Sequence, residues 1–175
     1  FIEKIISGSV VARCVGREEF GQRSLGNRSI LAMPNINNIV EKINFKIKYR
    51  DFWMPFCPVI LEDHFSEYIQ NCNPENSRFM TTAYKTISDK RDLIKGGIHP
   101  ADFTARPQIL NAKINKQLYE IMIEIFKKTG VPCLINTSLN LHGEPVVGNA
   151  DDAVRTFLDS GLDAILINDL LIEKK

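Results

Sequence analysis

The sequence predicts a mixed α/β domain, a twisted and partly antiparallel sheet with helices packed on it. Three observations lead there. Two segments repeat apolar residues at helical spacing behind capping residues, several short apolar runs read as strands, and the two kinds follow one another irregularly. A strictly parallel, doubly wound sheet would need a regular alternation of strand and helix.

Phe1, Ile2, Ile5 and Ile6 make a short helical face, and Gly8 is placed to end it in a left-handed cap. Ser9 to Val15 reads as a strand. Asn35 is a predicted N-cap for a helix carrying Ile36, Ile39, Val40 and Ile43 on one stripe. Pro55 and Pro58 delay the next strand to about Val59. Residues 70–78 and 88–97 are polar and turn-rich and read as surface loops, with strand character between them at Phe79 to Tyr84. The clearest helix runs from about Ala112 to Lys128, where Ile114, Leu118, Ile121, Met122 and Ile125 form the stripe and Gly130 follows the end. Val131 to Ile135 is a short apolar strand. Asn149, with Asp151 and Asp152 in the first turn, announces a last helix that carries Ala153, Val154, Phe157 and Leu158 inward and stops near Gly161. Asp163 to Ile167 and Leu170 to Ile172 complete the chain as strands.

The 175 residues are 44% hydrophobic and 25% charged, with a net charge of +1, which suits one globular domain and excludes a disordered or collagen-like chain. No apolar run is long enough to span a bilayer and none follows a basic start as in a signal peptide, so a soluble, cytoplasmic protein is expected. The start at Phe1, inside a helical pattern, suggests a part of something longer. Cys14, Cys57, Cys72 and Cys133 lack C-x-x-C spacing, and with only His64, His99 and His142 available no protein-bound metal is expected. Buried free thiols are the expected state.

Positive charge is concentrated early: Arg13 to Arg50 holds five Arg and three Lys against three Glu. A solvated basic face is the plain alternative, but arginine dominates, and Arg23 and Arg28 lie between and beside Gly21 and Gly26, which let backbone approach a ligand. Guanidinium forks so placed match phosphate or carboxylate oxygens. Neither a P-loop nor a G-x-G-x-x-G fingerprint is present. Residues 135–146, INTSLNLHGEPV, put amides and hydroxyls where an apolar strand opens into a loop, and Arg106 sits between Ala105 and Pro107 in FTARPQ.

Taken together, residues 16–32 (GREEFGQRSLGNRSILA), 46–61, 99–110, 129–147 and 151–167 resemble the carboxy-terminal domain of carbamoyltransferases of the nodulation-protein U and cephalosporin or tobramycin O-carbamoyltransferase type. The resemblance covers nearly the whole chain in the family's order. It implies a YrdC-like fold with a concave basic centre, normally preceded by an ASKHA-type domain outside this sequence. It also implies two-stage chemistry: this domain makes carbamoyladenylate from carbamoyl phosphate and Mg-ATP, and the ASKHA-like domain passes the carbamoyl group to an acceptor hydroxyl. Carried over by motif, Arg23, Asn27, Arg28 and Ser29 would bind phosphate. Lys48 and Arg50, the K-x-R element, would complete the anion cradle as catalytic cations. Arg106 would hold carbamoyl phosphate or adenylate, and Asn136, Ser138 and Asn140 would close the site. Departures from the pattern are Gln22 and Ser24 beside Arg23, Met54 and Cys57 where the family has Arg and Ala, and a lengthened stretch around Asp102. Glu144 reads as a loop-fixing carboxylate rather than a magnesium ligand.

Two other readings compete. A threonylcarbamoyl-adenylate synthase for tRNA modification is opposed by the N-T-S-x-N block and by TARPQ. A non-catalytic RNA-binding module is opposed by near-neutral charge without basic–aromatic alternation.

Overall fold

The strands β1 (Val11–Cys14), β2 (Arg28–Ala32) and β3 (Cys57–Leu61) are buried at every position, so the sheet they form must be covered on both faces. A computed structural model describes residues 1–51 and 53–174 and shows that arrangement. Beside these strands lie β4 (Tyr84–Lys85), β5 (Thr104–Ala105), β6 (Gln108–Leu110), β7 (Cys133–Ser138), β8 (Ala164–Ile167) and β9 (Leu170–Glu173). Seven strands pair in the order β6-β3-β7-β2-β1-β8-β9, while β4 and β5 form a separate ribbon. Pairs β1–β8 and β3–β6 are parallel and the rest antiparallel, the mixed sheet expected from the irregular element order.

Helix α1 (Ile2–Ile6) packs beside the long α4 (Lys116–Thr129) on one face, with Ile5, Leu118, Met122 and Ile125 against Val11, Leu31, Val59 and Leu134. On the other face α2 (Ile39–Ile43) and α5 (Ala150–Asp159) bring Ile39, Ile43, Ala153 and Phe157 onto Ala12, Ile30, Ile135 and Ile165. Each fully buried Leu, Ile or Phe contributes about 1.5–3 kcal/mol by leaving water. The short α3 (Arg91–Ile94) buries Ile94 at the rim. Among the described residues no helix is long and apolar enough to cross a membrane, and no three His, Cys, Asp or Glu side chains gather as a metal site. All four cysteines are free, and Cys14, Cys57 and Cys133 are buried.

Several elements differ from their sequence reading. Strand β2 hides behind the polar run Asn27–Arg28–Ser29, and β6 behind FTARPQ, so neither shows an apolar pattern of its own. Asn38, left-handed at φ 57°, starts α2 three residues beyond the turn at Asn35, and the chain then widens into a π-helical turn over Asn44–Lys48. Asn115 rather than a residue near Ala112 caps α4, accepting the Leu118 N–H, which leaves Ile114 exposed. Asn149 caps α5 as expected through the Asp152 N–H, but Leu158 points to solvent and Thr156 takes the inward position. β3 begins at Cys57, earlier than Val59, and residues 88–97 wind as short helical turns rather than an open loop. Between Phe79 and Tyr84 only Tyr84 enters a strand, because Phe79 is exposed and Met80 takes a left-handed φ of 56°. Phe52, within the 46–61 resemblance, lies outside the described residues.

Candidate anion site

The loop between β1 and β2 carries Arg23 and is folded by its own carboxylate. Glu19 Oε1 accepts the backbone N–H of Leu25 at 2.7 Å and of Asn27 at 2.6 Å. Gly26, at φ 123°, lets this loop lie on α4, since a Cβ there would sit 2.5 Å from Leu118 Cδ2. The π-helical turn ends at Tyr49, left-handed at φ 47°, and this reversal turns Lys48 inward and sets Arg50 at the cleft. Arg106 comes from the short link between β5 and β6.

These segments meet at one end of β7. Arg23 and Arg106 line three adjoining cavities of about 370, 50 and 500 Å³, and Arg50 lines the last two. Among the described residues no Asp or Glu lines any of them. None of the three arginines is ion-paired among the described residues. Burial first, and then the like charges of Arg23 and Arg106, lower the Arg50 pKa, with Cys57 opposing. Arg50 also lies over the Phe56 ring at 5.4 Å and donates weakly to Thr137 Oγ1 at 3.4 Å. Three cations crowded without a counter-charge cost free energy unless an anion joins them.

The smallest cavity is also lined by Ser24, Cys57, Asn136 and Ser138. Asn136 is buried and donates its Nδ2 to Gln108 Oε1 at 2.7 Å and to the Ser24 carbonyl at 3.1 Å, while its Oδ1 has no partner. The Ser24 hydroxyl is likewise buried and unpartnered. Orphaned buried polar atoms lining a cavity mark where a ligand makes the missing hydrogen bonds. Arg106 donates Nε and a terminal nitrogen to Cys57 Sγ at 3.4 and 3.3 Å.

The remaining sequence-predicted residues stand elsewhere. Lys48 lines none of the three cavities. Its ammonium is buried behind Ser138, donating to the Ser138 carbonyl and to Asn140 Oδ1 at 2.6 Å, and Asn140 in turn donates to the Glu144 carbonyl at 2.6 Å. Lys48 and Asn140 therefore brace the loop that follows β7. Burial, then repulsion from Arg50, lower the Lys48 pKa to about 7. Arg28 turns away from the cleft and clamps carbonyls of Val15, Gly16 and Gly148 at 2.8, 2.9 and 3.3 Å. Asn27 is bound to Arg13 and Asn115, and Ser29 is fully buried in β2. The structure thus brings Arg23, Arg50, Arg106, Asn136 and Ser138 together and keeps Asn27, Arg28, Ser29, Lys48 and Asn140 out of the cleft lining. Glu144 pairs with Arg155 at 3.4 Å, and Asp102 caps its own turn at Thr104. The sequence assigns Ser24 and Gln108 no site role, and it places Thr137 in the polar loop after the apolar strand without assigning it a ligand contact. Gln108 stands in TARPQ and Thr137 in the N-T-S-x-N loop, so the motifs themselves held that signal.

Comparison with known proteins gives the family and the fold of this chain. The family profile described as Carbamoyltransferase C-terminus matches residues 2–174. The chain is 45% identical over 170 residues to uncharacterized protein MJ1051 of Methanocaldococcus jannaschii, covering 97% of this chain and 32% of that protein. It is 39% identical over 176 residues to nodulation protein NolNO of Sinorhizobium fredii, covering 99% and 25%. The chain thus spans between a quarter and a third of the length of these relatives. Among solved structures, full-length HypF in a phosphate- and nucleotide-bound form superposes with a TM-score of 0.68 at 19% identity, covering 96% of this chain and 24% of that one. YciO of E. coli superposes with a TM-score of 0.60 at 15% identity, covering 99% and 85%. The fold is YrdC-like.

Proposed function

The chain belongs to the carbamoyltransferase C-terminus family, and on that basis we propose that it binds carbamoyl phosphate and ATP in the arginine-lined cleft and makes carbamoyladenylate. The observation that carries this reading is the convergence of Arg23, Arg50 and Arg106 on cavities without a carboxylate. Two polyanions repel one another, and fixed guanidinium charges cancel that repulsion without titrating. The unpartnered Asn136 Oδ1 supplies what a purely cationic cradle lacks, an acceptor for an N–H donor such as the carbamoyl NH2.

The atoms balance if one water is consumed. Carbamoyl phosphate loses phosphate to water, and an oxygen of the resulting carbamate attacks the α-phosphorus of ATP. A new P–O bond forms and pyrophosphate leaves. Arg50 and Arg106 act on the phosphates as catalytic cations, and Arg23 binds from the loop. Lys48 and Asn140 position Ser138, and Asn27, Arg28 and Ser29 hold the loop and strand beneath it. Magnesium enters with ATP rather than on a protein ligand set. The relatives' greater length supports a further, ASKHA-like domain that carries the carbamoyl group to an acceptor hydroxyl.

Pyrophosphate release from Mg-ATP, measured with and without carbamoyl phosphate at matched ionic strength, tests this reading. Release that requires carbamoyl phosphate is expected. Failure of calorimetry to detect either ligand would exclude the cleft as their site.

A further inference from the structure

Cys57 is a buried sulfur on the wall shared by two of the cavities, and Arg50, Arg106 and Arg23 line the same walls. Arg106 aims two N–H donors at its Sγ. Directly across the β3–β7 ladder its partner is Asn136, whose Oδ1 is unpartnered, and the unpartnered Ser24 hydroxyl lines the same small space. That space is about 50 Å³, larger than the roughly 10–15 Å³ that admits one water molecule. We infer that Cys57 is a modification site for a small peroxide, and that its oxidation to sulfenic acid reversibly closes the anion cleft.

The sulfur attacks one peroxide oxygen, so an S–O bond forms as the O–O bond breaks. Sulfur is oxidised by two electrons and the peroxide is reduced. The departing hydroxide takes the proton released by the thiol and leaves as water. Arg106 and Arg50 stand as fixed cations where the leaving oxygen gains charge. The product fits its surroundings: S–OH donates to Asn136 Oδ1, and its oxygen accepts from Ser24 Oγ or Arg106. None of the other cysteines lines the cleft cavities, so the sulfenic acid awaits external thiol: one equivalent displaces the hydroxyl as water and forms a mixed disulfide with Cys57, and a second releases the Cys57 thiol and leaves joined to the first as a disulfide. An oxygen added here occupies the space and engages the cations that an anionic substrate needs. This effect on binding rests on the proposed anion site, whereas the reactivity of Cys57 does not.

Exposure alone favours the opposite order of reaction, because Cys72 is half-buried and Cys57 is buried. The chain would be treated with hydrogen peroxide and a dimedone probe, and labelling followed by peptide mass spectrometry. In parallel, pyrophosphate binding would be measured by calorimetry before peroxide, after it, and after dithiothreitol. Labelling at Cys57 about tenfold or more faster than at Cys72 is expected, with pyrophosphate affinity falling at least about tenfold and recovering with thiol. Equal or faster labelling of Cys72 would overturn the assignment. Unchanged affinity in labelled protein would overturn the closure, as would a peroxide effect that persists in Cys57→Ala. If untreated protein fails to bind pyrophosphate, the anion-site reading falls, and the labelling ratio still decides the thiol.

Discussion

Lys48 reaches from the end of the π-helical turn to Asn140, Nζ to Oδ1 2.6 Å, and this contact joins parts of the chain 92 residues apart. The ammonium also meets the Ser138 carbonyl and hydroxyl, so one cation sets the course of the chain leaving β7. Burial, then Arg50, bring its pKa from 10.5 to about 7. Between those values the unfolded chain binds more protons than the folded one, so this group's contribution to stability rises with pH across that window and is flat below it. Thermal unfolding of wild type and Lys48→Met, compared from pH 6 to 10, should show the difference shifting toward wild type by a few kcal/mol, on the order of 1.4 per pKa unit. A difference independent of pH would place the ammonium in a wetter site.

The arginines divide into two kinds with opposite expected phenotypes. Arg23→Ala and Arg106→Ala should each weaken ATP or pyrophosphate binding roughly 10- to 100-fold, equivalent to about 1.5–3 kcal/mol. Their melting temperatures should stay near wild type, because neither makes an ion pair among the described residues. Arg28→Ala should instead lower stability by about 2–4 kcal/mol, since it strips donors from the carbonyls of Val15, Gly16 and Gly148. Calorimetry and melting curves on the three variants separate the classes.

Glu19 acts on binding without touching the ligand. Glu19→Ala removes the acceptor for two loop N–H groups, and the loop carrying Arg23 then samples more conformations. Pyrophosphate affinity should fall by about 3- to 10-fold, while an Arg23→Ala background should show almost no further loss. Additive losses in the double variant would mean that Glu19 serves the fold and not Arg23.

Gly26 lies where backbone strain and crowding coincide. Gly26→Ala puts a methyl 2.5 Å from Leu118 Cδ2 and 3.2 Å from Asn115 Nδ2, at a φ of 123°. A loss of about 2–4 kcal/mol is expected by denaturant unfolding. Gly143→Ala is the matched control, with positive φ but no neighbour within 4 Å, and should cost less.

Much of this molecule was legible in its sequence because the signals were local. The caps at Asn149 and Gly130, the stripe Leu118–Met122–Ile125 and the apolar strand ending at β7 depend on residues a few positions apart. The family motifs, likewise, mark Arg23, Arg50, Arg106, Asn136 and Ser138 for one candidate site, together with Asn27, Arg28, Ser29, Lys48 and Asn140. Tertiary structure alone decided which polar residues face the cleft. Arg23 and Arg28 stand five residues apart in one glycine-rich segment and look alike, yet one lines the cavities and the other is buried on backbone carbonyls. The motif does not separate them: Arg28 is placed by strand pairing with β1 and β7, which lie outside the loop, and Arg23 stands in the part of the segment that Glu19 folds back on itself. The same holds for Cys57 and Asn136, which face one another only because β3 and β7 pair antiparallel in that register. A strand's register is set by the side chains buried on both faces of the sheet, and those come from helices distant in sequence.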